Sequence, residues 1–335
     1  MAQSSRKRDF VDRWHHAPAV PVATSPLFAL PFRPVAALKW LVNSWLVITE
    51  QSVLIGFALI SWFYFAPTLA EAAHLKWDWV LLLWGRNLGL MLLVAGGLHL
   101  FFYTFRRQQA RLQYDTRPIP GQTQKFTFGS QVRDNMFWSL ASGVSLWTLY
   151  EVGMIWAMAN GYAPVLYWAD NPVWFVALFA LTPLWISFHF YWVHRWMHWP
   201  PLYRIAHAVH HRNTNVGPWS GLSMHPIETL LFFSSILVHF VIASHPLHIL
   251  FHLQHQGLTA ATSHTGFEAF QIGDRKHVAL GRFHHQIHHR YFDCNYGNLE
   301  MPWDKLFGSF HDGTDAAHEA MIARKKRMGI GSDQG

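Results

Sequence analysis

Long apolar runs set the first limit on this chain. Residues 41–65, 79–105, 136–159 and 173–193 are each apolar over about the 20 residues that a membrane-crossing helix needs. Backbone N–H and C=O groups have no water to bond inside hydrocarbon, so a continuous apolar run of that length must satisfy them within itself, as a helix. Charge is scarce to match: 13% of residues are charged, against roughly 25% in an ordinary soluble domain. The 18 Trp suit membrane–water interfaces, where Trp collects. The expected fold is all-α and integral to a membrane, with four or more transmembrane helices. Two further apolar segments, Thr229–Ser244 and Leu247–Thr262, are short for a span and leave a shallow hairpin and two extra crossings both open.

The net charge of +7 is placed in blocks. Arg6, Lys7, Arg8, Arg13, Arg33 and Lys39 fall within residues 1–39, a Pro-rich stretch expected to be a flexible basic cytoplasmic tail. Arg106, Arg107, Arg111, Arg117, Lys125 and Arg133 follow the second apolar run, and Arg324, Lys325, Lys326 and Arg327 lie near the C-terminus. The positive-inside rule puts all three blocks, and both termini, in the cytoplasm. Residues 40–335 then read as a single membrane domain. No Lys/Arg run interleaved with stacking aromatics lies outside the apolar segments, which excludes a nucleic-acid partner. The single cysteine, Cys294, excludes an internal disulfide framework. Residues 1–38 lack the short apolar core and cleavage site of a signal peptide. Ionisable residues inside apolar runs are costly; Glu50 and Arg86 are expected to pair between neighbouring helices or to sit near an interface, and Glu151 is a candidate for lining a substrate channel.

Histidine spacing carries the chemistry. His194 and His198 stand i, i+4 in HRWMH; His207, His210 and His211 stand i, i+3, i+4 in HAVHH; His285, His288 and His289 repeat that spacing in HHQIHH. Residues three or four apart share a helix face, so each box is a cluster of convergent imidazoles. Pro200 and Pro201 predict a bend between the first two boxes. A lone histidine is most simply a satisfied polar residue, but eight at ligand spacing point to metal, and imidazole suits iron, zinc and copper. Zinc takes about four ligands and performs no redox chemistry, so eight or more histidines favour two ions. The boxes lie where apolar helices end, at the cytoplasmic surface, which suits an apolar substrate reached from the bilayer.

These boxes, followed by YFDCNYGN (291–298) and WDKLFGSF (303–310), resemble the fatty acid hydroxylase/sterol desaturase superfamily over about residues 175–312. Residues 1–135 match it only in being membrane-spanning. The resemblance implies an integral-membrane helical fold with the boxes in a cytoplasmic helical cap. It implies two Fe ions held by His194, His198, His207, His210, His211, His285, His288 and His289, and O2-dependent oxidation of a lipid. His264 in SHTGF resembles a family histidine that follows an apolar helix, and His225 in SMHPIE resembles a His-Pro of some members. His284 stands beside His285 as a possible replacement. Metal-bound imidazoles commonly donate their second nitrogen to a carboxylate or carbonyl; Asp293 and Asn295, with Glu228 and Asp304, are the candidates, each otherwise a cap or turn residue. His245, His248, His252 and His255 lie at helical spacing and are either further outer contacts of this kind or structural. His15, His16, His74, His99, His189 and His239 read as structural.

The reaction expected is hydroxylation of a membrane lipid, on an acyl chain or an ornithine-type aminolipid, with a sterol C-5 desaturase-like activity as the alternative. No side chain beyond the metal centre is needed as a catalytic group. No fused cytochrome b5-like segment is visible, so electrons from NAD(P)H are expected through a separate ferredoxin, cytochrome or reductase. Together with the absence of an ER-retention tail, this points to a bacterial inner membrane. A histidine-rich metal transporter is the alternative from another class, but transport sites lie near the bilayer midplane, whereas these boxes sit at helix ends.

Overall fold

The computed structural model describes residues 9–45 and 48–329. Arg6, Lys7 and Arg8 of the expected tail, and Leu46 and Val47 of the first expected span, lie outside the described residues. The described chain is mostly helical: α1 (Pro34–Trp45), α2 (Glu50–Phe65), α3 (Trp77–Thr104), α4 (131–159), α5 (Pro172–Met197), α6 (200–211), α7 (Pro226–Phe240), α8 (Pro246–Ser263), α9 (Phe283–Tyr291) and α10 (Asp315–Arg327). A two-stranded antiparallel hairpin, β1 (Ala269–Ile272) and β2 (Arg275–Ala279), lies between α8 and α9.

By length and composition α3 and α5 are able to cross a membrane, and α1 with α2, bent by 45° between them, would make a third crossing if the pair is one span. α4 forms as expected but falls outside that set. Its sequence explains why. Ser139, Ser142, Ser145, Thr148 and Glu151 recur every third residue, in a stripe that winds around the helix, and lower its hydropathy. The stripe meets protein: Ser139 donates to the Trp219 carbonyl at 2.7 Å, Ser142 bonds Thr229 at 3.0 Å, and Trp84 Nε1 donates to Ser145 at 3.4 Å. Glu151 is fully buried among protein groups. It takes the buried Arg86 guanidinium at 2.5 Å, and Asn87 donates to it at 3.0 Å and to Thr148 at 3.1 Å. The expected Glu50–Arg86 pair is absent for this reason; Glu50 instead accepts from the Thr262 hydroxyl.

α5 starts where Asn171 accepts from the Trp174 N–H, with Pro172 in the first helical position, and runs to His198 as its C-cap. Pro200 and Pro201 then force the bend, and α6 begins. α8 lies at the centre of the molecule, with 15 of its 18 residues buried, so the second of the two short apolar segments, for which a shallow hairpin and two crossings were both open, is covered by protein. Its polar side chains are matched to neighbours: His248 Nε2 to the Phe175 carbonyl at 2.9 Å, Gln254 to Ser61 at 2.8 Å, and His252 to Ser235 at 2.8 Å and to His239 at 2.9 Å. These histidines are structural. Gly221 lets the chain before α7 press on α8: a Cβ there would meet the Ala260 carbonyl oxygen at 1.9 Å.

Residues 9–25 differ from a flexible tail. Phe10 is 1% exposed; its N–H donates to Asp315 at 2.7 Å and its ring packs on His311 and His318. His16 meets Glu268 at 2.6 Å, and the Val22 and Ser25 N–H groups bond the carbonyls of Asp312 and Leu299. An apolar anchor followed by main-chain pairing holds this segment along the C-terminal region.

Candidate metal centre

Each H-x-x-H-H box divides its histidines. Residues i and i+4 lie about 40° apart around a helix, whereas residue i+3 lies about 100° from i+4. The first and last histidines of a box therefore share one target and the middle one turns to another. His207 and His211 join the His194–His198 pair, and the middle histidine of the last box, His288, completes that group of five. His285 and His289 join His264, and the middle histidine of the other box, His210, completes a group of four. In each group the candidate ligand atoms lie within 4.8 Å of one another. The two boxes exchange their middle histidines, so neither group forms without both. A π-helical turn at Tyr203–His207 sets the start of this arrangement; such turns recur at functional sites.

Four of the converging rings present lone-pair nitrogens. His194, His264, His288 and His289 each donate Nδ1–H to a carbonyl, of Tyr296 at 2.6 Å, Ala260 at 2.7 Å, Cys294 at 2.6 Å and Asn213 at 3.0 Å. A carbonyl accepts only, so the proton of the neutral ring sits on Nδ1 and Nε2 is left with its lone pair. His264 Nε2 nevertheless lies 3.0 Å from His289 Nε2 and 3.1 Å from His285 Nε2, and His289 and His285 are 3.2 Å apart. In the larger group His288 Nε2 lies 3.1 Å from His211 Nε2 and 3.3 Å from His198 Nε2, and His198 Nε2 is 3.2 Å from His207 Nε2. Between His264 and His289, where both nitrogens carry lone pairs, such a distance is repulsive unless a cation sits between them. Metal–imidazole bonds of about 2.0–2.1 Å at angles between octahedral and tetrahedral put the nitrogens roughly 2.9–3.4 Å apart, which these spacings fit.

A proton is a poor substitute for that cation. Burial, reinforced by neighbouring imidazoles, holds His198, His207, His210, His211, His285, His288 and His289 well below the usual imidazole range, and burial pushes His264 down to about 4. The rings stay neutral, which is the form that binds metal.

Outer contacts fix the rings. His207 Nδ1 meets Glu228 Oε1 at 2.7 Å, the carboxylate–histidine pairing common at metal sites. Burial raises Glu228 well above the usual carboxyl range and lowers His207, so in the absence of metal the two are joined as a neutral hydrogen-bonded pair. Asp304 acts one step further out: it accepts from the Tyr296 and Gly297 N–H groups at 2.9 and 2.7 Å and from Ser309 at 2.6 Å, and so holds the loop whose Tyr296 carbonyl orients His194.

Nine of the ten histidines proposed from sequence are thus brought together. His225 is not: its Nδ1 accepts the Ile227 N–H at 3.3 Å and caps α7. Asp293 and Asn295 touch no imidazole of either group. Asp293 lies 3.1 Å from Lys325. Asn295 donates to the carbonyls of His284 and His311 and accepts from the His311 N–H, tying down a turn at its positive φ of 54°. His284 points away from both groups and its Nε2 lies 3.2 Å from the Gly297 carbonyl. The orienting partners that sequence reasoning missed, at Ala260, Asn213, Cys294 and Tyr296, are main-chain carbonyls, for which no residue type gives a signal.

A narrow cavity of about 70 Å³, open at its mouth, reaches the histidines. Ile186, Phe190, Val193, Met197 and Phe232 give it an apolar wall, and His194, His207, His210, His264 and His285 also line it. Gln51, His255, Arg282 and Glu300 are among the polar residues of the same lining.

Residues 179–309 match the family model described as fatty acid hydroxylase. The Delta(7)-sterol 5(6)-desaturase of Candida glabrata is 29% identical over 143 residues, 41% of this chain and 37% of that protein. That of Saccharomyces cerevisiae is 30% identical over 141 residues, 41% of this chain and 36% of that protein. A putative Delta(7)-sterol-C5(6)-desaturase of Arabidopsis thaliana is 27% identical over 173 residues, 49% of this chain and 59% of that protein. The matched part therefore spans less than two thirds of each of these relatives. No solved structure matches. Residues 179–309 are thus similar to the fatty acid hydroxylase/sterol desaturase superfamily.

Proposed function

We propose that this chain is a membrane-bound oxidoreductase that uses two irons and O2 to oxidise a C–H bond of a lipid. The observation that carries this reading is the convergence of nine neutral imidazoles, five and four, beside an apolar cavity. His194, His198, His207, His211 and His288 would hold one iron, and His210, His264, His285 and His289 the other. Bound there, a pair of irons supplies the O2 chemistry that breaks an unactivated C–H bond. The chain's own residues do the rest. Phe190, Val193 and Met197 exclude water and align an apolar chain against both groups. The carbonyls of Tyr296, Ala260, Cys294 and Asn213 keep Nδ1 protonated and Nε2 free. Glu228 would adjust to charge: a cation held by His207 displaces one proton from the neutral pair, leaving Nδ1–H on the ring bonded to a carboxylate that balances the added charge.

The relatives named above are sterol desaturases, which favours removal of two hydrogens from a sterol-like lipid. Hydroxylation is the second reading, favoured by the family model's description. Electrons come from NAD(P)H through a separate ferredoxin, cytochrome or reductase, and the histidine end of the helices, with a cap built from α6, α9 and the chain between them, faces the cytoplasm. α4 completes a set of four membrane-embedded helices with α2, α3 and α5. The relatives reported are fungal and plant proteins and lend no support to a bacterial inner membrane.

The test is iron analysis with an optical spectrum, joined to lipid mass spectrometry of cells with and without the protein. Two irons per chain, no haem band and an O2-dependent lipid product are expected. A product lighter by two hydrogens identifies desaturation and one heavier by an oxygen identifies hydroxylation. Labile zinc without iron, with no change in any lipid, sinks the enzyme and leaves a metal transporter.

A further inference from the structure

We propose that Gln51, His255 and Glu300 form a subsite that binds the hydroxyl group of a lipid alcohol. The inference rests on reading the cavity as the substrate site. All three residues line that cavity together with five of the histidines. His255 is 6% exposed, and neither of its ring nitrogens has a partner. Gln51 Oε1 and Glu300 Oε2 are likewise buried without a partner. Each buried polar group left unpaired costs about 1–3 kcal/mol, and such groups in a folded protein call for a specific explanation. Every other histidine on α8 is satisfied by protein; His255, about two and a half turns before His264 on the same helix, is the exception and the one that faces the cavity.

The free groups select the ligand. Gln51 Oε1 and Glu300 Oε2 accept, and a neutral His255 offers one donor and one acceptor. Acceptors dominate, so the bound group must donate a hydrogen bond. A phosphate or carboxylate end would face two acceptors, and the nearby cation, Arg282, is already paired with Glu300 at 2.7 Å. An ammonium end would stand beside that guanidinium. A hydroxyl donates to Glu300 or Gln51 and accepts from His255 N–H, with no charge to desolvate. The apolar wall of the cavity then takes the hydrocarbon body of the alcohol.

The test is equilibrium binding to the purified full chain in detergent micelles, by competition with a tritiated Δ7-sterol. The competitors are the same sterol, its 3-O-methyl ether, octadecanol, octadecyl methyl ether, octadecanoate and octadecylamine. At least one alcohol should bind about tenfold more tightly than its own ether, and His255→Leu should bring that ratio close to one while His255→Gln keeps part of it. Whether the sterol or octadecanol shows the preference identifies the source of the hydroxyl. Equal affinity for alcohol and ether in the unmodified protein, or tighter binding of octadecanoate or octadecylamine, overturns the proposal. If His255→Leu fails to fold, the competitor series on the unmodified protein still decides. Iron content and O2-dependent product are scored separately, so absence of both with the alcohol preference intact sinks the oxidoreductase reading and not the subsite.

Discussion

Gly221 stands against the carbonyl of Ala260 so closely that a single added carbon would lie 1.9 Å from that oxygen. The same oxygen accepts the Nδ1 proton of His264 at 2.7 Å. A backbone contact between a loop and a buried helix therefore decides where one nitrogen of the four-histidine group points. Gly221→Ala should push the Ala260 carbonyl away, turn His264 and cost about 1–3 kcal/mol of overpacking. The expected outcome is loss of about one of the two irons with the other retained, read by metal analysis of the purified variant. Retention of both irons at unchanged thermal stability would show that the contact is not restrictive.

The exchange of middle histidines makes the two groups separable by substitution. His210→Ala leaves three nitrogens in its group, whereas His288→Ala leaves four in the other. Both should abolish product with the protein still inserted in the membrane. Under dialysis against a chelator, His210→Ala should lose its first metal faster. Full activity in both variants would refute the ligand assignment.

Much of this centre was legible because its information is local. H-x-x-x-H and H-x-x-H-H spacing is fixed by helix geometry, so His194, His198, His207, His210, His211, His285, His288 and His289 were readable without coordinates. Their division into five and four was not, since it depends on how α6 and α9 face each other. His225 failed because His-Pro at a helix start serves equally as an N-cap, and the spacing cannot separate the two uses. Asp293 and Asn295 failed because their nearness to the last box in sequence is cancelled by a turn in which Phe292 and Asn295 both take positive φ. α4 read as a span because Glu151 is the one charged residue within 136–159; its serines and threonine lower the mean hydropathy enough to leave it out of the set that holds α3 and α5. The anchoring of Phe10 depends on α10, some 300 residues away in sequence, which no local pattern encodes.

Glu228 should control metal affinity without touching metal. Glu228→Gln keeps an acceptor near His207 Nδ1 but removes the charge that balances a cation on Nε2. Outer-sphere changes of this kind typically cost 10–100-fold in metal affinity or activity. Titration of the metal-free protein with ferrous iron under anaerobic conditions should show such a loss confined to one of two binding events. An unchanged pair of affinities would remove Glu228 from the centre.

The N-terminal segment should be released by acid. Arg13 Nη1 donates to His318 Nε2 at 2.9 Å, which requires that nitrogen to be unprotonated. Burial, with His318 beside His311 and Arg13 beside His318, pushes both imidazoles down to about 4. The packed form thus binds fewer protons than the released form, in which the rings titrate near 6.5. The packing is fully present above about pH 6.5 and weakens as pH falls toward 4. The protection factors of the Phe10 and Trp14 amides, measured against the intrinsic exchange rate at each pH, should fall across that window. His318→Gln, which still accepts from Arg13 but does not titrate, should move the onset to lower pH; an onset unchanged in that variant would assign the release to other groups.

The Arg86–Glu151 pair should matter more for stability than for turnover. Its side chains are 3% and 0% exposed, and Asn87 and Thr148 complete the cluster on two helices expected to be embedded. Removing one member leaves a buried charge without its partner, which costs about 3–5 kcal/mol, whereas replacing both with apolar residues of similar volume is often neutral. Glu151→Ala should therefore lower the thermal unfolding midpoint in detergent sharply. Arg86→Met combined with Glu151→Met should recover most of the loss while both irons stay bound, because neither residue lines the cavity that reaches the histidines. A double variant that folds as stably as the parent but has lost metal or product would place the pair in the functional machinery.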